Sequence, residues 1–193
     1  MITHISSDRR FLTVPELLAS GLTHYAINKL VTSGKLIKRT KSVYENTEYT
    51  GDASDFAVAA AYAPKGIICM MTATRYYGLT TYLPDTIDIA IERSMKVSKL
   101  PEWPSISIWY FPTARYEMGQ TSISDESGQY RIYNQAKTVA DILYYRNKVG
   151  IEETKEILKN YLDKEDRNLM QLHHYAEELG CGKILRTYLE VLL

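Results

Sequence analysis

Apolar residues recur at helical spacing early in the chain. Leu22, Ile27, Leu30 and Val31 fall on one face of a helix expected over about 24–33, and His24, Tyr25, Asn28 and Lys29 fall on the other. Thr23 suits the N-cap of that helix, and Gly34 suits its left-handed end. A shorter helix is expected before it, over 13–20. Thr13 caps it, Pro15 is tolerated in its first turn, Glu16 favours the positive end of the dipole, and Gly21 stops it. Residues 35–44 read as two short strands about a turn near Thr40–Ser42. Helix, short turn, helix and basic hairpin is the layout of a winged helix-turn-helix.

The polar, turn-rich run 45–53 reads as a linker. A helix follows at about 54–63, ended by Pro64, and another at 70–77, closed by Gly78. Alternation over Thr86–Glu92 and Ser105–Phe111 predicts two strands, with an exposed loop from Lys96 to Pro104 between them. Tyr130–Tyr133 adds a third strand. From Asn134 onward the pattern is helical, at about 135–147, 151–162, 166–179 and 182–192. The expected fold is α+β: an N-terminal winged helix-turn-helix domain over 1–47, then a mixed α/β domain over 48–193 with a helical C-terminal part.

Composition changes this picture in one respect. An apolar share of 45% over 193 residues can bury a sizeable core, and the net charge of zero is uninformative by itself. The distribution is uneven, however. Residues 1–44 carry seven Lys or Arg against Asp8 and Glu16, a net +5, and the remaining 149 residues carry −5. Such a split points the N-terminal part at a polyanion. The two cysteines, Cys69 and Cys181, have no metal-ligand spacing, and Cys69 sits in an apolar run as a buried small hydrophobe. No signal-type apolar run and no membrane-length stretch are visible, so a reduced, cytoplasmic chain without a membrane partner is expected. Sixteen tyrosines against three phenylalanines imply many half-wet rings.

The basic module is the strongest chemical signal. A helix fits the major groove of double-stranded DNA, where Asn28 can read adenine and Lys29 guanine or a phosphate. Thr23, His24 and Tyr25 lie at the helix start, where backbone amides favour phosphate. Lys35, Lys38, Arg39 and Lys41 suit backbone or minor-groove contact from the wing. Were five or so of these to neutralise phosphates, affinity would fall by orders of magnitude with salt. The same module can also serve protein–protein contact, and a lysine-rich hairpin can be plain solvated surface.

Other chemistry is weaker. Asp85, then Glu92-Arg93-Ser94, loosely matches a metal-dependent nuclease pattern, but Ser94 stands where lysine belongs, and solvated strand charges are the plainer reading for Asp88 and Glu92, which share a strand face. His173 and His174 diverge by about 100° on a helix, which suits a surface better than a metal. Asp141 reads as a helix-start residue paired with a nearby base. Tyr144, Tyr145, Tyr161, Tyr175 and Tyr188 read as mixed core and rim. No glycine-rich phosphate loop or catalytic triad is visible. No enzyme activity, cofactor or metal is expected.

With these residues in view, the chain resembles the AbiEi-type antitoxins of bacterial type IV toxin–antitoxin (abortive infection) systems. One stretch runs from Phe11-Leu12-Thr13 through Glu16-Leu17-Leu18, Gly21-Leu22-Thr23, Ser33-Gly34-Lys35-Leu36 and Val43-Tyr44. A second is Thr72-Ala73-Thr74 with Tyr77-Gly78-Leu79-Thr80. A third is Lys137-Thr138-Val139-Ala140-Asp141. Ser42 stands where the family's wing usually has glycine. The resemblance implies a repressor that binds inverted repeats in its own promoter. Its C-terminal domain would counter a nucleotidyltransferase-type toxin, in phage defence, without a stable complex. The alternatives from the residues alone are a DNA-targeted metal-dependent nuclease and a ligand-sensing transcriptional regulator.

Overall fold

In the computed structural model, which describes residues 9–51, 54–97, 99–125 and 128–192, Thr13 closes one element and opens the next. Strand β1 (Phe11–Thr13) runs directly into helix α1 (Val14–Ala19). The Thr13 hydroxyl accepts from the Glu16 amide, and the Glu16 carboxylate accepts from the Thr13 amide at 2.7 Å, forming a reciprocal cap. Gly21, at φ +87°, turns the chain where a side chain would be strained. Helix α2 (His24–Thr32) starts at Thr23, whose hydroxyl accepts from the Ala26 amide at 3.2 Å. Strands β2 (Leu36–Lys38) and β3 (Val43–Asn46) then form an antiparallel hairpin. β1 adds to the far side of β3, pairing Phe11 with Glu45, so the sheet order is β1-β3-β2.

A small core holds these elements together. Leu12, Leu17, Leu22, Ile27, Leu36 and Tyr44 are buried, with Val14, Leu30 and Val31 packed against them. Each such side chain contributes about 1.5–3 kcal/mol when fully buried. The expected helical spacing is thus the observed one. β1 was not legible as a strand, because three residues are too few to show a period. β3 extends into the polar run at 45–53, since the β1 pairing reaches Glu45. Helix α3 (Asp55–Tyr62) follows, capped by the Ser54 hydroxyl.

The turn between β2 and β3 closes without a glycine. Ser42 is not among the residues with a left-handed φ. The Thr40 hydroxyl accepts from the amides of Ser42 and Val43 at 3.3 and 3.1 Å and closes the turn.

The remaining elements are β4 (Ile67–Ile68), α4 (Met70–Tyr76), β5 (Ile87–Glu92), β6 (Ile106–Phe111), α5 (Thr113–Glu117), β7 (Gln120–Asp125) and β8 (Gly128–Tyr133), followed by the helices α6 (Gln135–Tyr144), α7 (Arg146–Val149), α8 (Ile151–Leu162), α9 (Leu169–Glu178) and α10 (Gly182–Leu192). The strands form a mixed sheet in the order β6-β5-β4-β8-β7. β5 pairs parallel with β6 and antiparallel with β4, and β4 pairs parallel with β8. α6 packs against α4, α8 and α9. Every residue of α6 from Ala136 to Leu143 is buried, polar ones included.

Two compact units result. One comprises the described residues through Lys65 with those of Lys96–Pro104 and Ser122–Tyr130. The other comprises the described residues of Gly66–Met95, Ser105–Thr121 and Arg131–Leu193. α3 therefore belongs to the first unit.

Candidate nucleic-acid interface

α2 presents two unlike faces. Ile27 is buried and Leu30 half-buried, whereas Thr23, His24, Tyr25, Asn28 and Lys29 are all exposed. Tyr25 is 79% exposed, an aromatic ring almost wholly in water. The helix thus offers hydroxyl, imidazole, phenol, amide and ammonium groups along one side of about two and a half turns. Thr23 is also committed as the cap, so its hydroxyl oxygen holds the helix start as well as facing solvent.

The hairpin is less uniformly free than its composition suggests. Lys35 donates to Glu48 at 2.7 Å. Arg39 pairs with Glu45, which also takes Arg10 Nε at 2.7 Å. Arg9 pairs with Glu16 at 2.9 Å. Lys38 and Lys41 are exposed, and the Lys38 ammonium lies 5.8 Å from the centre of the Tyr44 ring. Among the described residues, Lys29, Lys38 and Lys41 are the N-terminal cations without a carboxylate partner. Of the seven N-terminal cations in the sequence, three are thus left uncommitted among the described residues. Spacing could not reveal this, because Glu45 reaches Arg10 only through the β1–β3 register.

Glu45 is the electrostatic centre of this region. Burial pushes its carboxyl up, but hydrogen bonds and charge from Arg10 and Arg39 together outweigh burial and hold it below the ordinary carboxylate range. Two guanidinium groups on one carboxylate leave one positive charge in excess.

The second unit carries its own buried charges. Asp141 accepts from Arg115 Nε and Nη2 at 3.1 and 2.8 Å and from Lys137 Nζ at 2.6 Å. The Arg115 guanidinium lies 4.3–4.4 Å from the ring centres of Phe111, Tyr144 and Tyr145, and the Lys137 ammonium lies 4.2 Å from that of Tyr133. Burial pushes the Lys137 ammonium below its ordinary value against the pull of Asp141. Asp141 does pair with bases, as the residues suggested. The start of α6, however, is capped by Asn134, whose side chain accepts from the Lys137 amide.

The carboxylates on and beside β5 differ in their exposure, against the expectation of solvated strand charges. Asp88 is not solvated: it is buried, and its carboxylate accepts from the Trp109 indole at 2.9 Å and the Thr72 amide at 3.4 Å. Burial raises its pKa despite these bonds. β5 is covered on both faces, which the alternating pattern does not reveal. Glu92 is engaged by Ser94 and, at 3.1 Å, by Thr113, while Asp85 is exposed. Among the described residues no three His, Cys, Asp or Glu side chains converge as a metal site. His173 and His174 are exposed. Cys69 and Cys181 are buried free thiols, with burial raising the pKa of both, Cys181 to about 11. Tyr161 and Tyr175 are buried, whereas Tyr144 is exposed and Tyr145 and Tyr188 are half-buried. Among the described residues no helix is long and apolar enough to cross a membrane.

No family model matches this chain, and no curated protein sequence is significantly similar to it.

Proposed function

We propose that the chain is a double-stranded-DNA-binding transcriptional repressor whose first unit works as a winged helix-turn-helix, with α2 as reading helix and the β2–β3 hairpin as wing. The observation that carries this reading is the exposed face of α2. His24, Tyr25, Asn28 and Lys29 all stand free of a core that fixes the opposite side of the same helix. A helix of nine residues is about 13.5 Å long, and a helix fits a major groove of about 12 Å width. Two helices across a short turn, then a hairpin completed by a third strand, agree with such a module.

The antitoxin role rests on the family resemblance and is part of the same proposal: autoregulation of its own operon in the cytoplasm, and neutralisation of a nucleotidyltransferase-type toxin without a stable complex. The resembling segments outside the first unit are mostly interior. Thr72, Thr74, Leu79, Lys137, Thr138 and Asp141 are all buried. Those segments therefore argue for a shared core, and toxin antagonism falls to residues outside them.

Both halves are tested with the full chain. DNA from upstream of its own coding region is shifted by the wild type and not by the Asn28→Ala, Lys29→Ala variant. Co-expressed with the product of the adjacent gene, that same variant still rescues growth. A wild type that gives no shift would overturn the DNA reading, and a wild type that gives no rescue would overturn the antitoxin reading.

A further inference from the structure

We infer that the first unit holds a binding site for a small aromatic carboxylate beside the β2–β3 hairpin, at the start of its turn. A cavity of about 320 Å³ opens there, near the lower end of the range for small-molecule sites. Three aromatic residues, Phe11, Tyr62 and Trp103, are among those that line it. Trp103 is 72% exposed, so a large apolar ring stands at the cavity with little covering it. The polar lining has a definite sign. Arg10, Arg39 and Lys99 line it together with Glu45 and Glu102, three cations against two carboxylates. Lys99 has no carboxylate partner among the described residues. Arg10 gives only its Nε to Glu45, which leaves its terminal N–H groups for a second acceptor. Rings beside an excess of one positive charge suit a flat monoanion, its ring against Trp103 and its carboxylate toward Arg10 and Lys99.

The position of the cavity gives the ligand a consequence, which rests on the reading of the hairpin as a DNA wing. Arg39 begins the wing turn, its amide donating to the Val43 carbonyl at 3.0 Å. A carboxylate held by Arg10 competes with Glu45, the carboxylate that also pairs with Arg39, and places negative charge near the turn that carries Lys41 and follows Lys38. DNA affinity falls when the site is filled, as for a repressor released by an effector.

The test uses the full chain and indole-3-carboxylate as probe. Calorimetric titration without DNA gives saturable binding. Indole-3-carboxamide, which keeps the ring and lacks the charge, binds about tenfold or more weakly, as does acetate, which keeps the charge and lacks the ring. Trp103→Ala and Lys99→Ala, both at exposed positions, weaken the probe by a similar factor and leave the thermal unfolding temperature unchanged. No saturable heat at millimolar probe, or equal binding by wild type and both variants, would overturn the site. Promoter affinity is then measured with the probe present and absent. A drop with probe supports the coupling. Probe binding with unchanged promoter affinity overturns the coupling and leaves the site. Probe binding by a chain that never binds promoter overturns the wing reading alone.

Discussion

Lys137 donates from Nζ to Asp141 Oδ2 at 2.6 Å, one turn apart on α6, and both side chains are wholly out of water. The other oxygen of Asp141 holds Arg115. Two buried cations therefore depend on one carboxylate. Asp141→Asn leaves both without a counter-charge and is expected to cost about 3–5 kcal/mol, read from the denaturant midpoint. Lys137→Met removes the buried ammonium with little change in volume and leaves Asp141 paired with Arg115. Its cost is expected to be clearly smaller. Equal losses for the two variants would contradict this division of charge.

Glu45 makes the first unit acid-sensitive. Held below its ordinary pKa of 4.5 by Arg10 and Arg39, it binds fewer protons folded than unfolded just below that value. Its contribution to stability is full above pH 4.5 and is lost as pH falls through the lower folded value. The gap in unfolding temperature between wild type and Glu45→Gln is therefore expected to be wide at pH 6 and to close toward pH 3. A gap independent of pH would show that the pairing contributes nothing as charge.

Thr23 has a structural role that can be separated from any contact it makes. Its hydroxyl caps α2 through the Ala26 amide. Thr23→Ala is expected to cost about 1 kcal/mol, and Thr23→Ser to restore most of it, because serine keeps the accepting oxygen. Helix stability measured by hydrogen exchange over residues 24–28 reports this directly. Equal protection in wild type and Thr23→Ala would mean the cap is idle.

The two helices and the hairpin between Thr13 and Asn46 were largely legible in the sequence because their signals are local. Caps at Thr13 and Thr23, the apolar spacing of Leu22, Ile27 and Leu30, and the glycines at 21 and 34 each lie within a turn or two of what they control. What was not legible depends on partners distant in sequence. β1 exists because Phe11 finds Glu45, and the same register ties Arg10 to that carboxylate. Asp88 reads as a solvated strand charge until Trp109 and Thr72 close over it. The long helix expected over 135–147 breaks into α6 and α7 at Tyr145, with no glycine or proline to announce it. The free charges of the hairpin are likewise a tertiary result, since only pairing distinguishes Lys38 and Lys41 from Lys35 and Arg39.

That distinction sets the number of charges the first unit has free for DNA. If α2 and the hairpin bind DNA through the uncommitted cations, three lysines per protomer (Lys29, Lys38 and Lys41) release counterions. The plot of log affinity against log salt for promoter DNA should have a slope of about −2.7 per bound protomer, at about 0.9 per neutralised phosphate. Replacing all three lysines with alanine should flatten the slope to no steeper than about −0.9, the share of the one excess charge on Arg10, Arg39 and Glu45, which keep the hairpin folded. A wild type with no salt-dependent binding, or a triple variant with the wild-type slope, would contradict DNA binding through these three lysines.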